Sequence, residues 1–254
     1  MDSLDAQTFP MRDVLLVYVM RHSASSPTPI NPKDATIRVL EACYPKDHPP
    51  TPMEQMGAGA QYVFDGWPSV KFSVHTPVND VLEPGFLREL KTAITMDPRV
   101  RVSVPDFWYC RNNMEKVSPH RWNDNLNLTD MMRGNYIPDM SMFTRETYER
   151  VPYDPQHRRA SFWIWWIKIF MEFGPFAFSF VRKPLFCWRQ HTGQTSGHSD
   201  YVLDGTKAFT DWAHKEGLLP PDLIIRPTQK PDIVRLDEEE GSDSGSDDQN
   251  GAGS

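Results

Sequence analysis

The sequence predicts an α/β protein in which a parallel or mixed sheet is flanked by helices. The run "VLLVYVM" at residues 14–20 is continuously apolar and branched, which is typical of a strand buried on both faces. The segments "SVKFSVHT" and "VRVSVPDF" alternate with the period of a strand. Between them, Phe86, Leu90 and Ile94 form the apolar stripe of a helix. Strands and helices therefore alternate along the first half of the chain.

The remaining elements follow from similar patterns. A strand leading into a helix is predicted in "SMFTRETYERV", and a final strand pair or hairpin in "AFSFVRKPLFCWRQH". The polar stretch 109–130 is interpreted as a long loop. Further helices are predicted at residues 33–44, 56–67, 159–174 and 201–217.

The charge of the chain is concentrated at its carboxyl end. Of 254 residues, those from 237 to 254 include seven acids and no base, and the rest of the chain holds 27 of each sign. We therefore expect one neutral domain at 1–220, a linker at 221–236 and a disordered acidic tail at 237–254. The tail has two interpretations, as a solubilising segment or as a docking segment for a basic protein partner. A neutral body argues against nucleic-acid binding.

Cysteine usage and hydropathy predict the compartment. Three scattered cysteines without a CxxC pair favour a reducing environment over a disulfide framework or a zinc knuckle. No apolar run reaches the length of a membrane span, and the first residues contain acids rather than the apolar core of a signal peptide. The sequence therefore predicts a cytoplasmic protein without a membrane span.

The stretch "VNDVLEPGFLREL" raises the central question about function. Asn79 and Asp80 follow a predicted strand and precede a predicted helix. An acid at the carboxyl end of a strand in an α/β sheet can hold a divalent cation, which in turn can bind a diphosphate. An Asx residue before a helix is also a common helix cap. Both interpretations are open from the sequence.

Three blocks of sequence together resemble family-2 glycosyltransferases. The blocks are "GAGAQYVFDGWPSVKFSVHTPVNDVLEPGFLREL", "GNYIPDMSMFTRETYERVPYDP" and "GPFAFSFVRKPLFCWRQHTGQTS". They keep the order and approximate spacing of that family and cover over half the chain. The resemblance implies a GT-A-like fold, with a Rossmann-type nucleotide-binding part at about 10–110 and an acceptor part at about 111–200. It also implies sugar transfer from a nucleotide-sugar donor to a glycan, protein or lipid acceptor with Mn²⁺ or Mg²⁺.

The resemblance also assigns roles to particular residues. Asp80 matches the metal-binding acid of the family, and Asn79 matches the acid before it. His191 matches a position that approaches the metal or the diphosphate, and Arg189 lies beside it. The remaining matches are Gly57 and Gln61 toward the nucleotide and Asn135 and Asp139 toward the acceptor.

The chain departs from the family at three places. The acidic corner reads "TPVND", with one carboxylate. Ser161 and Phe162 occupy the acidic positions of the helix that carries the catalytic base, and neither can accept a proton near pH 7. The candidate substitutes Asp154 and Glu172 do not align. The second strand expected in the N-terminal half is not found in "YPKDHPPTPMEQ", so an incomplete nucleotide pocket is expected.

Two functions of different classes follow. The first is a divergent glycosyltransferase whose catalytic base is unassigned. The second is a protein that kept the fold without the chemistry and assembles with other proteins, through the tail or through the aromatic stretch 108–122. Trp163 and Trp166 likewise have two interpretations, as core residues or as a platform on which a sugar stacks.

Overall fold

The computed structural model describes residues 2–21, 36–42, 51–77, 79–122, 126–135, 137–154, 160–190, 199–223 and 225. The helices are α1 Asp2–Asp5, α2 Pro52–Gly66, α3 Phe86–Met96, α4 Leu128–Arg133, α5 Arg145–Arg150, α6 Ser161–Phe173 and α7 Ser199–Lys215. The strands are β1 Leu15–Arg21, β2 Thr36–Ala42, β3 Phe72–Val74, β4 Val81–Leu82, β5 Val102–Cys110, β6 Lys116–His120, β7 Met142–Thr144 and β8 Phe178–Arg189. These elements confirm the α/β class, with a mixed sheet flanked by helices. None of the described helices is long and apolar enough to cross a bilayer.

The main sheet has the strand order β3-β7-β5-β8-β4, and β6 pairs with the far end of β5. Strands β5 and β8 are parallel, and β7 lies antiparallel between β3 and β5. Strands β3, β5 and β8 therefore run in one direction. Residues that follow β3 and residues that precede β7 consequently meet at the same edge of the sheet. Strands β1 and β2 form a separate parallel pair against α2.

The core lies between this sheet and the aromatic helix α6. Trp163 stacks on Phe209 of α7 with ring centroids 3.7 Å apart, and its indole N–H donates to the carbonyl of Met131. Trp165 and Trp166 are almost fully buried. Burial of three indoles is a large hydrophobic contribution. The core interpretation of Trp163 and Trp166 is therefore confirmed, and the sugar platform is wrong.

The helix predicted at 33–44 is wrong, because residues 36–42 form strand β2. It pairs in parallel with β1 from Leu15↔Thr36 to Arg21↔Ala42. Its β-branched Thr36, Ile37 and Val39 favour a strand once a partner strand is available. The N-terminal half thus contains a second strand, although it lies before the segment "YPKDHPPTPMEQ" in which the sequence analysis expected one.

The long loop predicted at 109–130 is also wrong. Strand β5 continues to Cys110 and turns back into β6, with Met114 in the left-handed region at φ 70°. Tyr109, His120 and Trp122 pack around Phe107, so this aromatic stretch is a packed hairpin rather than an exposed loop.

Strand β8 replaces the predicted final strand pair or hairpin. It is one strand of 12 residues, paired with β5 except at irregularities near Asp106. Pro184 lies at that irregularity, where a missing backbone donor is tolerated. The predicted acidic tail lies outside the described residues, as does most of the predicted linker.

One arginine joins α2 to the start of β3. Arg145, at the first position of α5, donates to the carbonyls of Phe64, Trp67 and Val70 at 2.7, 2.7 and 2.9 Å. Two of these carbonyls lie at the end of α2, where the helix itself supplies no donor. The guanidinium also lies 4.6 Å from the ring centroid of Phe64.

Replacing Arg145 with Ala should remove a donor from three carbonyls, of which that of Trp67 still accepts from the N–H of Val70 at 3.0 Å. We expect the free energy of unfolding to fall by about 3–5 kcal/mol, since hydrogen bonds to charged groups contribute about 1.5–3 kcal/mol each and are not additive. Urea unfolding measures the change. Arg133→Ala is the matched control, because the Arg133 side chain is 72% exposed and contacts only Asp130 at 3.7 Å among the described ion pairs. Equal losses in both variants would contradict this role for Arg145.

Candidate functional site

The corner at Asn79 and Asp80 is not a helix cap. Strand β4 separates it from α3, whose N-cap is Gly85, and Gly85 has no side chain with which to cap. The corner is instead a turn in which the N–H of Asp80 donates to the carbonyl of Pro77 at 3.4 Å. Both Asn79 and Asp80 are half-buried. Asp80 is therefore available for another role.

Asp80 lies beside the end of β8. The pairing of β4 with β8 at Val81↔Cys187 brings it there, and the backbone N–H of Arg189 donates to Asp80 Oδ1 at 3.1 Å. The guanidinium Nε of Arg189 is buried and has no hydrogen-bond partner among the described residues. The structure thus brings together two residues that the sequence analysis assigned to one site.

The position of Asp80 is electrostatically costly. Burial raises the pKa of its carboxyl to about 6, the backbone N–H of Arg189 opposes this, Asp139 adds to the rise, and the charge of the Arg189 guanidinium lowers it in part. A carboxylate that is ionised at pH 7 against such a desolvation cost is stabilised by a nearby cation. Asp80 is therefore suited to a positively charged ligand.

Asp139 lies near both the Asp80 corner and the end of β3. It precedes β7, whereas His75 follows β3, and the antiparallel pairing Val74↔Met142 brings the two to the same edge. The carboxyl of Asp139 lies within electrostatic range of His75, Asp80 and Tyr153. Asp139 therefore acts both on Asp80, beside Arg189, and on His75 at the end of β3.

His75 is held between the sheet and the start of α6. Its ring is nearly parallel to that of Phe162, with a centroid distance of 6.3 Å and an interplanar angle of 17°. Its Nδ1 is buried and has no hydrogen-bond partner in the described structure. Burial lowers the pKa of His75, and the nearby Asp139 carboxylate opposes the decrease.

Tyr153 adds a second buried polar group, and Gly57 packs against it. The Tyr153 hydroxyl has no hydrogen-bond partner within the described ranges, and burial raises its pKa well above the ordinary value. A Cβ on Gly57 would lie 2.8 Å from Cδ2 of the Tyr153 ring. Gly57, predicted to contact a nucleotide, therefore touches the site through Tyr153.

The described part of the structure does not bring the remaining three predicted residues into this site. Gln61 and Asn135 are both exposed, and no described contact joins them to Asp80 or Asp139. His191 lies outside the described residues. The site therefore includes Asn79, Asp80, Asp139, Arg189 and, indirectly, Gly57.

The two candidate substitutes for a base are engaged elsewhere. Asp154 pairs with Lys168 at 3.2 Å, and Glu172 pairs with Arg150. Glu172 lies ten residues beyond Phe162 on α6, which corresponds to about 15 Å along the helix. Neither acid faces Asp80 in any described contact.

His75 and Tyr153 are the site residues that the sequence analysis missed. His75 stands in the quoted "SVHT", directly after an alternating strand, and that position was the available signal. Tyr153 carries no local signal, because its place depends on the packing of residues distant in sequence.

A divalent cation would find few protein ligands here. In the described part of the chain, no three His, Cys, Asp or Glu side chains form a group suited to a metal ion. The Asp80 carboxylate and the Asn79 amide oxygen fit the oxygen preference of Mn²⁺ or Mg²⁺. A cation at this corner would need further oxygens from a phosphate ligand and water.

The chain matches no known protein family and no curated protein.

Asp80→Asn should stabilise the protein at alkaline pH. Below the ordinary pKa of 3.8 the Asp80 carboxyl is protonated in the folded and unfolded states, so the substitution has little effect there. Above the folded pKa of about 6 the wild-type folded state carries the cost of an ionised, half-buried carboxylate. We expect a gain of about 1–3 kcal/mol at pH 8 that declines as the pH falls from 6 to 4. Thermal unfolding across this range measures it.

Asp97→Asn is the control of opposite sign. Hydrogen bonds from Arg99 hold the pKa of the exposed Asp97 at about 2, so its removal should not stabilise the protein at pH 8. An Asp80→Asn effect that does not change between pH 4 and pH 8 would contradict the raised pKa.

Gly57→Ala should destabilise the fold because the new methyl group meets the Tyr153 ring. We expect a loss of about 1–3 kcal/mol from this overpacking, which exceeds the gain in helix propensity. Gly66→Ala in the same helix is the matched control, since a Cβ there meets nothing within 4 Å. Chemical unfolding should show Gly66→Ala unchanged or more stable. Similar effects at both glycines would contradict the close packing of Gly57.

Proposed function

We propose that the protein is a metal-dependent glycosyltransferase that binds the diphosphate of a nucleotide-sugar donor at Asp80 and Arg189. The observation that carries this proposal is that the side chains of Asp80 and Arg189, two groups suited to a charged ligand, lie together at one corner of the sheet. Burial keeps the pKa of the Asp80 carboxyl at about 6 although the charge of Arg189 opposes the rise, and the buried Nε of Arg189 has no acceptor among the described residues. A divalent cation bound to a diphosphate supplies both a positive charge and acceptor oxygens.

The position of this corner supports the proposal. Strands β3, β5 and β8 run in one direction, and Asp80 and Arg189 lie at the carboxyl end of β8. Ligands of α/β sheets bind at carboxyl ends of strands. A GT-A-like fold is part of this proposal. It predicts that the cation, Mn²⁺ or Mg²⁺, is held by Asp80 and by His191 from the segment that follows β8.

In the reaction that we propose, the cation would neutralise charge on the departing diphosphate. Arg189 would bind a phosphate oxygen through its buried Nε. Asp139 lies within electrostatic range of Asp80 and would contribute to the acceptor side. The acceptor is a hydroxyl of a glycan, protein or lipid, and the reaction takes place in the cytoplasm.

A binding protein without catalytic activity is the second candidate. Phe162, which stands where the family carries an acid, contacts His75 with its ring. Exposed Met96 and Phe176, at 80% and 65% exposure, line a groove of about 730 Å³ between α3 and the start of β8. Apolar side chains at this exposure are common at protein interfaces. Assembly with other proteins would use such a surface or the acidic tail.

Calorimetric titration of UDP and of GDP, each with and without Mn²⁺, separates the two candidates. For the transferase we expect micromolar binding that requires Mn²⁺ and is lost in Asp80→Ala, because that variant removes the carboxylate ligand. Asp211→Ala is the control, since Asp211 is an exposed acid of α7 that pairs with Lys207. Absence of binding for both nucleotides in wild-type protein would reject the transferase and favour the binding protein.

A further inference from the structure

We infer that His75 is the base that accepts the proton of the attacking hydroxyl, and that Asp139 is its positioning residue. This inference rests on the proposed transferase and assigns the step for which the sequence offered no residue. It depends on the placement of His75, on buried polar groups without partners, and on the charge of Asp139.

The placement follows from the topology. His75 is the residue directly after β3, and Asp139 lies three residues before β7, which pairs antiparallel with β3. Phe162 at the start of α6 lies beside the imidazole ring and limits its movement. Asp139 is also within electrostatic range of Asp80. Asp139 therefore lies within range of both His75 and Asp80, and we place the acceptor beside His75 and the diphosphate beside Asp80.

Two polar atoms near Asp139 have unmet hydrogen-bonding capacity. His75 Nδ1 and the Tyr153 hydroxyl are both buried without a partner among the described residues. Buried polar groups in folded proteins are nearly always satisfied, so such a pair indicates a missing ligand or water. A neutral imidazole nitrogen accepts a hydrogen bond, and a tyrosine hydroxyl can donate or accept one. An alcohol or sugar hydroxyl has the complementary groups.

The protonation state of His75 suits a base. Burial lowers its pKa, so the imidazole is neutral and able to accept a proton near pH 7. Asp139 is the charged group whose field reaches His75 in the described part of the chain, and Phe162 is uncharged. The carboxylate would stabilise the imidazolium that forms during the reaction.

The step balances without an oxidant or reductant. The O–H bond of the acceptor breaks, and its proton moves to the His75 imidazole. The electron pair of the acceptor oxygen forms a bond to the anomeric carbon of the donor sugar. The bond from that carbon to the diphosphate oxygen breaks, and the nucleoside diphosphate leaves with the electron pair. The imidazolium then releases its proton to water.

Release of nucleoside diphosphate from UDP-glucose, UDP-N-acetylglucosamine and GDP-mannose tests this step, with water or added monosaccharides as the acceptor. His75→Gln should lower turnover by about 10²–10⁴-fold, the usual contribution of a general base. Calorimetric binding of UDP or GDP should stay unchanged, because His75 does not hold the donor. His214→Gln on α7 is the matched control and should retain wild-type turnover. In His75→Ala, added imidazole should restore part of the rate.

The outcomes separate the inference from the proposed function. Wild-type protein that binds neither nucleotide rejects the transferase itself. Nucleotide binding together with wild-type turnover in His75→Gln overturns the base alone. Binding without any turnover by wild-type protein also overturns it, since a neutral imidazole beside a bound donor should at least activate water.

Histidine NMR titration tests the role of Asp139 independently of turnover. Asp139→Asn should lower the titration midpoint of His75, because it removes the carboxylate that raises it. Asp130→Asn is the control, since Asp130 pairs with exposed Arg133 at the surface. An unchanged His75 midpoint in Asp139→Asn would show that the carboxylate does not act on the imidazole. A structural defect that exposed His75 would raise this midpoint instead, because burial lowers the pKa of the imidazole.

Discussion

The hydrogen bonds of Arg145 fix the arrangement on which the site depends. One guanidinium binds two carbonyls at the end of α2 and a third before β3. Arg145 itself follows β7, so it also fixes the antiparallel partner of β3. The residues at the other end of this strand pair are His75 and Asp139. A single half-buried cation thus holds the end of α2 against the strand pair that carries two separate site residues.

The described site is built from groups that reduce stability. Burial opposes ionisation of Asp80 and protonation of His75, and leaves Nε of Arg189 and the hydroxyl of Tyr153 without partners in the described structure. Each such group costs folding free energy when no ligand is present. Sites that bind polar ligands commonly retain such costs, because bound ligand compensates them. The same feature distinguishes this corner from the ordinary surface ion pairs elsewhere in the chain.

Periodicity in the sequence predicted β1, β3, β5 and helices α2, α3, α6 and α7, because each of these elements has its own apolar pattern. It failed at residues 36–42, where a short run fits both periods and pairing with β1 decides the outcome. Asp80 was predicted as a site residue from its position after a strand. His75 and Tyr153 were not, since their proximity to Asp139 arises from pairing across the sheet. Local sequence contains no record of that pairing.

The strand order of the main sheet has a consequence for specificity. His75 follows β3 and Arg189 ends β8, and two strands lie between them in the order. Three strand spacings correspond to about 14 Å, and Asp139, which precedes the intervening strand β7, acts on residues at both sides. In the proposed transferase, the distance between donor and acceptor would thus depend on the strands that lie between them as well as on side chains. Substitutions in the interior of β5 that shift these strands would change which acceptors reach the donor, without changing any residue proposed to touch either substrate.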